Sequence, residues 1–347
     1  MKLINIIRDL CSALFVSGFE ILDEDNVIVQ YLKEYKIPFR ADNMGNLIFS
    51  KEGGGNGILM LVAHYDEIGL SIKYIDDNGF IYFSTIGGVD ISMLMGQRVV
   101  IYHEGHTING VIGARPVHML HQEHNKNDNI DISDLWVDIG VRCREEAENM
   151  VSVGDPISFF PNFSEIGHNL FTSKSIDNRS GVATLLAVYD KIKDNTIGYK
   201  KIYFVLSSQE ELGMRGARVA GYSINPDICI AVDVTHATDY PTINKRKYGD
   251  VSIGHGAVIP IGSNFSASIQ KFMKKIASER KIDYQTEATP SHSGTDIAEI
   301  QMVRDGCKSG LISIPCRYMH TPTEIASYDD LHSAIDILSV LCTSEIK

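Results

Sequence analysis

Two adjacent glutamates, Glu210 and Glu211, stand in the stretch Ser207-Ser208-Gln209-Glu210-Glu211-Leu212-Gly213, directly after the apolar run Ile202-Tyr203-Phe204-Val205-Leu206. The run reads as a buried strand. Two carboxylates at its end are costly unless they neutralise, pair or bind a metal. A solvated turn is the competing reading, and the ends of the other strands decide between the two. The strand expected over 58–63 runs into His64-Tyr65-Asp66-Glu67, that over 227–234 carries Asp233, and that over 311–315 runs into Cys316-Arg317-Tyr318-Met319-His320. Asp177 stands just before a helix, whose N-terminus favours negative charge. Each residue alone has an ordinary explanation: a satisfied core histidine, an N-cap, a strand-end turn, an exposed loop. Taken together, two imidazoles and several carboxylates converge beyond the carboxyl ends of strands, where open α/β sheets gather functional groups. That mixture suits zinc, cobalt or manganese. Of the glutamate pair, one carboxylate would hold metal and the other would move protons, because adjacent side chains on an extended chain point opposite ways. In His64-x-Asp66 the carboxylate is close enough to take the second ring N–H of a metal-bound histidine, or to be held by a neighbour.

The elements that must position these groups follow from length and texture. The chain has 347 residues, 44% hydrophobic and 22% charged, with a net charge of −12. A chain this long points to two domains, or one with a large insertion. The negative balance disfavours nucleic acid, whose phosphates need clustered Lys and Arg. No apolar stretch reaches the roughly 18 to 20 residues that cross a bilayer, and the charged, amphipathic N-terminus does not read as a signal peptide. Six scattered cysteines (Cys11, Cys143, Cys229, Cys307, Cys316, Cys342) without a C-x-x-C pair suggest free thiols in a reducing compartment, so a cytoplasmic location is expected.

Helical spacing appears over 5–16 and again over 23–36, where Asp23 and Asp25 suit a helix start. A short strand is expected at 47–49. From about 70 to 165, short β-rich pieces alternate with Gly, Asn and Asp turns, and only 145–150 looks helical. This spacing predicts a small antiparallel barrel or sandwich, inserted as a second domain. Helices are then expected over 179–193, 263–280 (Ser263 as cap), 295–305 and 328–345, with strands over 200–207, 227–234 and 310–316. The predicted fold is α/β: a mixed, largely parallel sheet flanked by helices on both faces. Its domain would comprise 1–69 plus 166–347, with a β-barrel-like insert over 70–165.

Six segments in this order resemble one family: Ala63-His64-Tyr65-Asp66-Glu67-Ile68-Gly69, Asp177-Asn178-Arg179-Ser180-Gly181, Gln209 to Ala217, Ala231-Val232-Asp233-Val234-Thr235, Ser293-Gly294-Thr295-Asp296 and Ile314 to Pro322. Within the insert, Gly113-Ala114-Arg115-Pro116-Val117-His118, Val137-Asp138-Ile139-Gly140 and Val153-Gly154-Asp155 also match. Over almost its whole length the chain resembles the M42 metallo-aminopeptidases, relatives of the glutamyl and TET-type aminopeptidases. The resemblance implies a metalloprotease with two divalent metal ions per subunit, zinc or cobalt foremost, with manganese as a third option. Asp177 would bridge them. His64 and Asp233 would complete one metal site, Glu211 and His320 the other. Glu210 would be the general base and Asp66 the carboxylate that orients His64. Substrates would be peptides with a free N-terminus. The insert would be a dimerisation domain, in a homo-oligomer that builds dodecamers from dimers. One departure is Gly254-His255-Gly256-Ala257, where the family more often has Gly-Arg-Gly-Pro. It leaves the ligand positions intact and bears on the substrate pocket or a subunit contact.

Two other functions compete with hydrolysis of N-terminal residues. One is a related two-metal deacylase or carboxypeptidase; the other is an inactive metal-binding scaffold used for assembly. Other histidines read more simply. His118, His121 and His124 lie in a polar stretch that reads as an exposed loop. His103 and His106 sit at a hairpin-like turn with no acidic partner beyond Glu104. Ser291-His292-Ser293 has no G-x-S-x-G elbow and is expected near the rim of the site.

Overall fold

The structure is a computed structural model that describes residues 2–115 and 131–344. Two helices open the chain, α1 (Leu3–Ser12) and α2 (Val27–Glu34), followed by strands β1 (Phe39–Ala41), β2 (Leu47–Glu52) and β3 (Ile58–His64). The next segment holds β4 (Gly69–Ile75), β5 (Ile81–Ile86), β6 (Arg98–His103), β7 (His106–Ala114), β8 (Leu135–Asp138), α3 (Arg144–Glu148) and β9 (Pro156–Phe159). After β10 (Ser164–Ile166) and β11 (Leu170–Ser173) come α4 (Ile176–Ile192), β12 (Lys201–Ser207), α5 (Arg215–Ile224), β13 (Ile228–His236) and α6 (Lys245–Tyr248). The remaining elements are β14 (Ala257–Val258), β15 (Ile261–Gly262), α7 (Ala267–Arg280), β16 (Tyr284–Gln285), β17 (Ala288–Thr289), α8 (Ile297–Ile300), β18 (Lys308–Cys316), β19 (Glu324–Ser327) and α9 (Tyr328–Thr343).

An eight-stranded mixed sheet runs in the order β1-β2-β12-β3-β13-β18-β14-β16. Its central strands β12, β3, β13 and β18 are parallel. They are apolar on both faces, as parallel strands covered by helices must be. Ile230 and Val232 of β13 pack into a core with α1, α4, α7 and α9, while Cys229 and Ala231 face Ala217, Ala220, Ile297 and Ile300 of α5 and α8. Register aligns Ser207 with His64, and Asp233 with Ser313. The parallel strands therefore deliver Ser207, His64 and Asp233 to one end of the sheet.

The strands of the insert close into a barrel, β4-β5-β8-β7-β6-β9, around Leu70, Ile72, Phe83, Val99, Ile101, Val137 and Ile157. Leu70 pairs with Ile157 to complete it. A third, three-stranded sheet, β10-β11-β19, lies beside the main one. Buried Glu67 ties these parts together. Its carboxylate accepts the N–H of Phe15 at 3.0 Å and the hydroxyl of Ser158 in β9 at 2.9 Å. Its other oxygen takes the ammonium of Lys174 at 2.5 Å and the hydroxyl of Ser175, and lies 3.7 Å from the buried guanidinium of Arg179.

Several expected boundaries move. α2 starts at Val27 because Asn26, rather than Asp23 or Asp25, caps the N–H groups of Ile28 and Val29. α7 starts at Ala267; Ser263 instead donates its hydroxyl to the carbonyl of Pro290. α8 is a single turn rather than a helix over 295–305. Gly216 and Gly221 weaken the helical signal of α5, so the sequence does not announce this helix. Gly216 is needed for packing: a Cβ there would lie 2.4 Å from Asn46 Oδ1 and from the Ser208 carbonyl. Also unanticipated were β4, β10, β11 and β19. His103 has an acidic partner after all, Asp155 at 2.8 Å, which is 52 residues away in sequence and so not visible as a local pattern. His118, His121 and His124 lie outside the described residues. All six cysteines are free. No helix among the described residues is long and apolar enough to cross a membrane.

Candidate metal centre

Five of the residues singled out by sequence form two donor groups that share Asp177. His64, Asp177 and Asp233 make one; Asp177, Glu211 and His320 make the other, with all donor atoms of each group within 4.8 Å of one another. Asp177 turns one oxygen to each imidazole: Oδ1 lies 3.1 Å from His64 Nε2, and Oδ2 lies 3.4 Å from His320 Nε2. His64 Nε2 is also 3.7 Å from Asp233 Oδ1 and 4.0 Å from Glu210 Oε2. His320 Nε2 is 3.9 Å from Glu211 Oε1.

Each imidazole is oriented by its second nitrogen. His64 Nδ1 is 3.3 Å from the carbonyl of Asp66, and His320 Nδ1 is 3.0 Å from the carbonyl of Gly88. A carbonyl can only accept, so Nδ1 donates in both rings and Nε2 is the nitrogen turned to the carboxylates. The sequence did not point to Gly88, which follows the end of β5 and reaches back from the barrel. Glycine is required there, since a Cβ would lie 2.6 Å from His320 Nδ1.

The glutamate pair does not sit on an extended chain as expected. Residues 210–213 form a turn in which the N–H of Gly213 bonds to the carbonyl of Glu210 at 2.8 Å. The divergence of the two side chains comes from that turn and not from strand alternation. Asp66 holds it: its Oδ1 accepts the N–H of Glu210 at 3.0 Å and its Oδ2 that of Glu211 at 3.1 Å. The expected contact of the Asp66 carboxylate with His64 is at ion-pair range only, 3.6 Å. Glu20 braces the preceding residue by accepting the N–H of Gln209 at 3.0 Å.

Two further acids stand at the site without a mark in the local sequence. Glu324 accepts the N–H of Asp177 with one oxygen and that of His320 with the other, both at 3.0 Å. Asp296, 1% exposed, accepts the hydroxyl of Ser207 at 2.5 Å, and its other oxygen has no hydrogen-bond partner. Asp296 stands within one of the family-like segments, with nothing in that stretch to mark it as facing the site. Glu324 followed the His320 motif with nothing local to mark it. His255 is exposed on a loop whose flanking N–H groups, from Gly254 and Gly256, both bond to Asp330 at 2.7 Å.

The electrostatics describe a site short of positive charge. Burial pushes Glu211 up to about 8, Asp296 up to about 7 and Glu324 up to about 8. It also raises Glu210 well above the usual carboxylate range, and Asp233 less so. His320 is raised to about 9, chiefly by its bond to Asp177. Burial opposes charge on His64, but the carboxylates of Asp177, Asp233 and Asp66 outweigh it and raise its pKa. Burial would likewise raise Asp177, yet the two imidazoles reverse this and hold it low. No lysine or arginine among the described residues pairs with these acids. Buried carboxylates in such number need cations or protons. The donor set, imidazole nitrogens plus carboxylate oxygens with a shared aspartate, fits divalent cations of the zinc, cobalt or manganese type.

The wider likeness is to peptidases. A sequence profile described as M42 glutamyl aminopeptidase matches residues 45–337. The lysyl aminopeptidase of Pyrococcus furiosus is 32% identical over 327 residues, 94% of this chain and 92% of that protein. The TET aminopeptidase of a marine sediment Thaumarchaeota archaeon superposes with a TM-score of 0.91 at 29% identity, over 98% of this chain and 96% of that one. A TET peptidase of Pyrococcus horikoshii, described as able to assemble into a tetrahedron or a large octahedral shell, superposes with a TM-score of 0.86 at 29% identity, over 99% and 100% of the two chains. With a profile that spans both the main sheet and the barrel, and relatives alike from end to end, the chain belongs to the M42 glutamyl aminopeptidase family and is an aminopeptidase.

Proposed function

We propose that the chain releases N-terminal residues from peptides with a free amino terminus, using two divalent metals and Glu210 as general base. The observation that carries this reading is the sharing of Asp177, one oxygen to each donor group. His64, Asp177 and Asp233 would hold one ion, and Asp177, Glu211 and His320 the other. When bound, such a pair supplies Lewis acidity, which acidifies a water and polarises the scissile carbonyl.

The residues of the chain do the rest. Glu210 is nearly buried and belongs to neither donor group, so its carboxylate is left to move protons. It takes a proton from the attacking water and returns it to the leaving amine. Its raised pKa suits it to hold that proton between the two steps. Asp66 fixes the turn that aims Glu210. Excess buried carboxylate attracts the substrate ammonium, which limits cleavage to the first residue.

The closed barrel and the shells described for TET relatives support reading residues 70–165 as an inserted dimerisation domain, with dimers assembling to a dodecamer. Residues 1–69 and 166–347 would then form the catalytic domain. Six free thiols support a cytoplasmic location. Zinc or cobalt is the first choice of metal.

The test is Glu210→Gln. Metal content should be retained while peptide turnover falls at least about 100-fold; undiminished turnover in a metal-loaded variant rejects Glu210 as base. Assay of free-amine, N-acetylated and carboxy-terminal substrates separates the aminopeptidase reading from a deacylase or carboxypeptidase.

A further inference from the structure

Residues 287–296 cross the face of the sheet that carries His64 and Asp233. At one end Asp296 bonds to Ser207 of β12; at the other Glu287 accepts the hydroxyl of Thr235 of β13, with its oxygens at 3.1 and 2.9 Å. Asp233 and Thr235 are two residues apart on one strand, so their side chains share a face. Two residues of strand span roughly 6.6 to 6.8 Å. Thr235, which holds the Glu287 carboxylate, therefore stands about that far along β13 from Asp233.

This carboxylate is unbalanced. It is half-buried, and Thr235, a neutral hydroxyl, is its side-chain partner; no Lys, Arg or His among the described residues forms an ion pair with it. Arg317, one residue beyond the pairing of Cys316 with His236, is occupied by Asp239, whose oxygens hold it at 2.7 Å twice. The corner thus offers an acceptor with negative charge, and the guanidinium of Arg317 is already engaged by Asp239. A half-buried carboxylate without a countercharge favours a ligand that brings one.

We infer that Glu287 is the specificity group for the side chain of the substrate's first residue and selects a basic one, lysine or arginine. The inference rests on the aminopeptidase reading above, in which the α-amino group and scissile carbonyl lie at the donor groups. From there an extended lysine side chain reaches roughly 6 Å from Cα to Nζ, comparable to the spacing of Thr235 from Asp233 along β13. A glutamyl side chain in the same place would meet a like charge. The net charge of −12 also favours the approach of cationic peptides.

Lysine and norleucine form the discriminating pair, because they share chain length and differ in the terminal ammonium. Metal-loaded protein is assayed with lysyl, arginyl, norleucyl and glutamyl peptides, and binding of free L-lysine and L-norleucine is followed by calorimetry. The wild type should prefer lysyl over norleucyl peptides and bind lysine more tightly. Glu287→Gln should lower the lysyl-to-norleucyl ratio of kcat/KM by about 10- to 100-fold. Thr235→Val, which removes the hydroxyl and leaves the carboxylate, should keep the preference. Equal treatment of lysine and norleucine by the wild type overturns the inference, as does a Glu287→Gln loss that is uniform across substrates. If no free-amine peptide is cleaved yet lysine still binds more tightly than norleucine in a Glu287-dependent way, the inference stands and the proposed activity falls.

Discussion

The carboxylate of Glu324 accepts the backbone N–H of Asp177 at 3.0 Å with one oxygen, and that of His320 at 3.0 Å with the other. One buried acid thus sets the spacing of two residues proposed as ligands of the same ion. In Glu324→Gln, one acceptor becomes an NH2 group that faces a backbone donor. Metal affinity should fall about 10- to 100-fold, as for other partners that orient ligands. Titration against a competing chelator measures it, and unchanged affinity rejects the role.

Gly88 tests the second donor group alone. A methyl group at this position would lie 2.6 Å from His320 Nδ1. Gly88→Ala should displace the imidazole and so break its bond to the backbone carbonyl of residue 88, while leaving His64 and Asp233 undisturbed. Metal analysis should show loss of about one ion per subunit with the thermal transition nearly intact. Retention of both ions would show that His320 adjusts without cost.

Asp66→Asn separates two roles for one carboxylate. Asp66 accepts the N–H of Glu210 with one oxygen and that of Glu211 with the other, and in the amide one of these positions becomes an NH2 group facing a backbone donor. A displacement of Glu210, proposed as the base, by about 1 Å costs on the order of 100-fold in rate. The kcat of the metal-saturated variant should fall by about that factor with a smaller change in KM. If the loss lies in metal affinity and kcat is preserved, orientation of His64 is the main role of Asp66.

Glu67 governs stability. Its removal would leave Lys174 and Arg179 buried without a countercharge. Glu67→Gln should cost about 3 to 5 kcal/mol at neutral pH, read from urea unfolding. Burial alone would raise the Glu67 pKa; Lys174 and Arg179 outweigh it and hold the folded-state value below the ordinary 4.5. Its contribution is therefore present above the unfolded pKa and is lost as pH falls through the folded one. The gap between wild type and variant should narrow as pH drops below about 4.5. A gap that widens in acid contradicts this assignment.

Much of the architecture was legible because its signals are local. Continuous apolar runs marked β3, β12, β13 and β18 as buried parallel strands, and the shift to short strands between turns marked the barrel. The departures have local causes too. Asn26 lies beside the aspartates that looked like caps, and two glycines hid α5. β19 is four residues long, too short for periodicity to show.

The sequence by itself determined which side chains could do chemistry: His64, Asp66, Asp177, Glu210, Glu211, Asp233 and His320 are marked by type and by position at the ends of predicted elements. Tertiary structure alone decided how they are held. Glu324 bonds to Asp177 across 147 residues, Gly88 to His320 across 232, and Asp66 to Glu210 across 144. A hydrogen bond over such a separation leaves no periodic trace in the chain, because its geometry depends on how the sheet, the barrel loop and the short third sheet pack together. The glutamate pair shows both limits: its residue types announced a site, but only the fold revealed a turn pinned by Asp66.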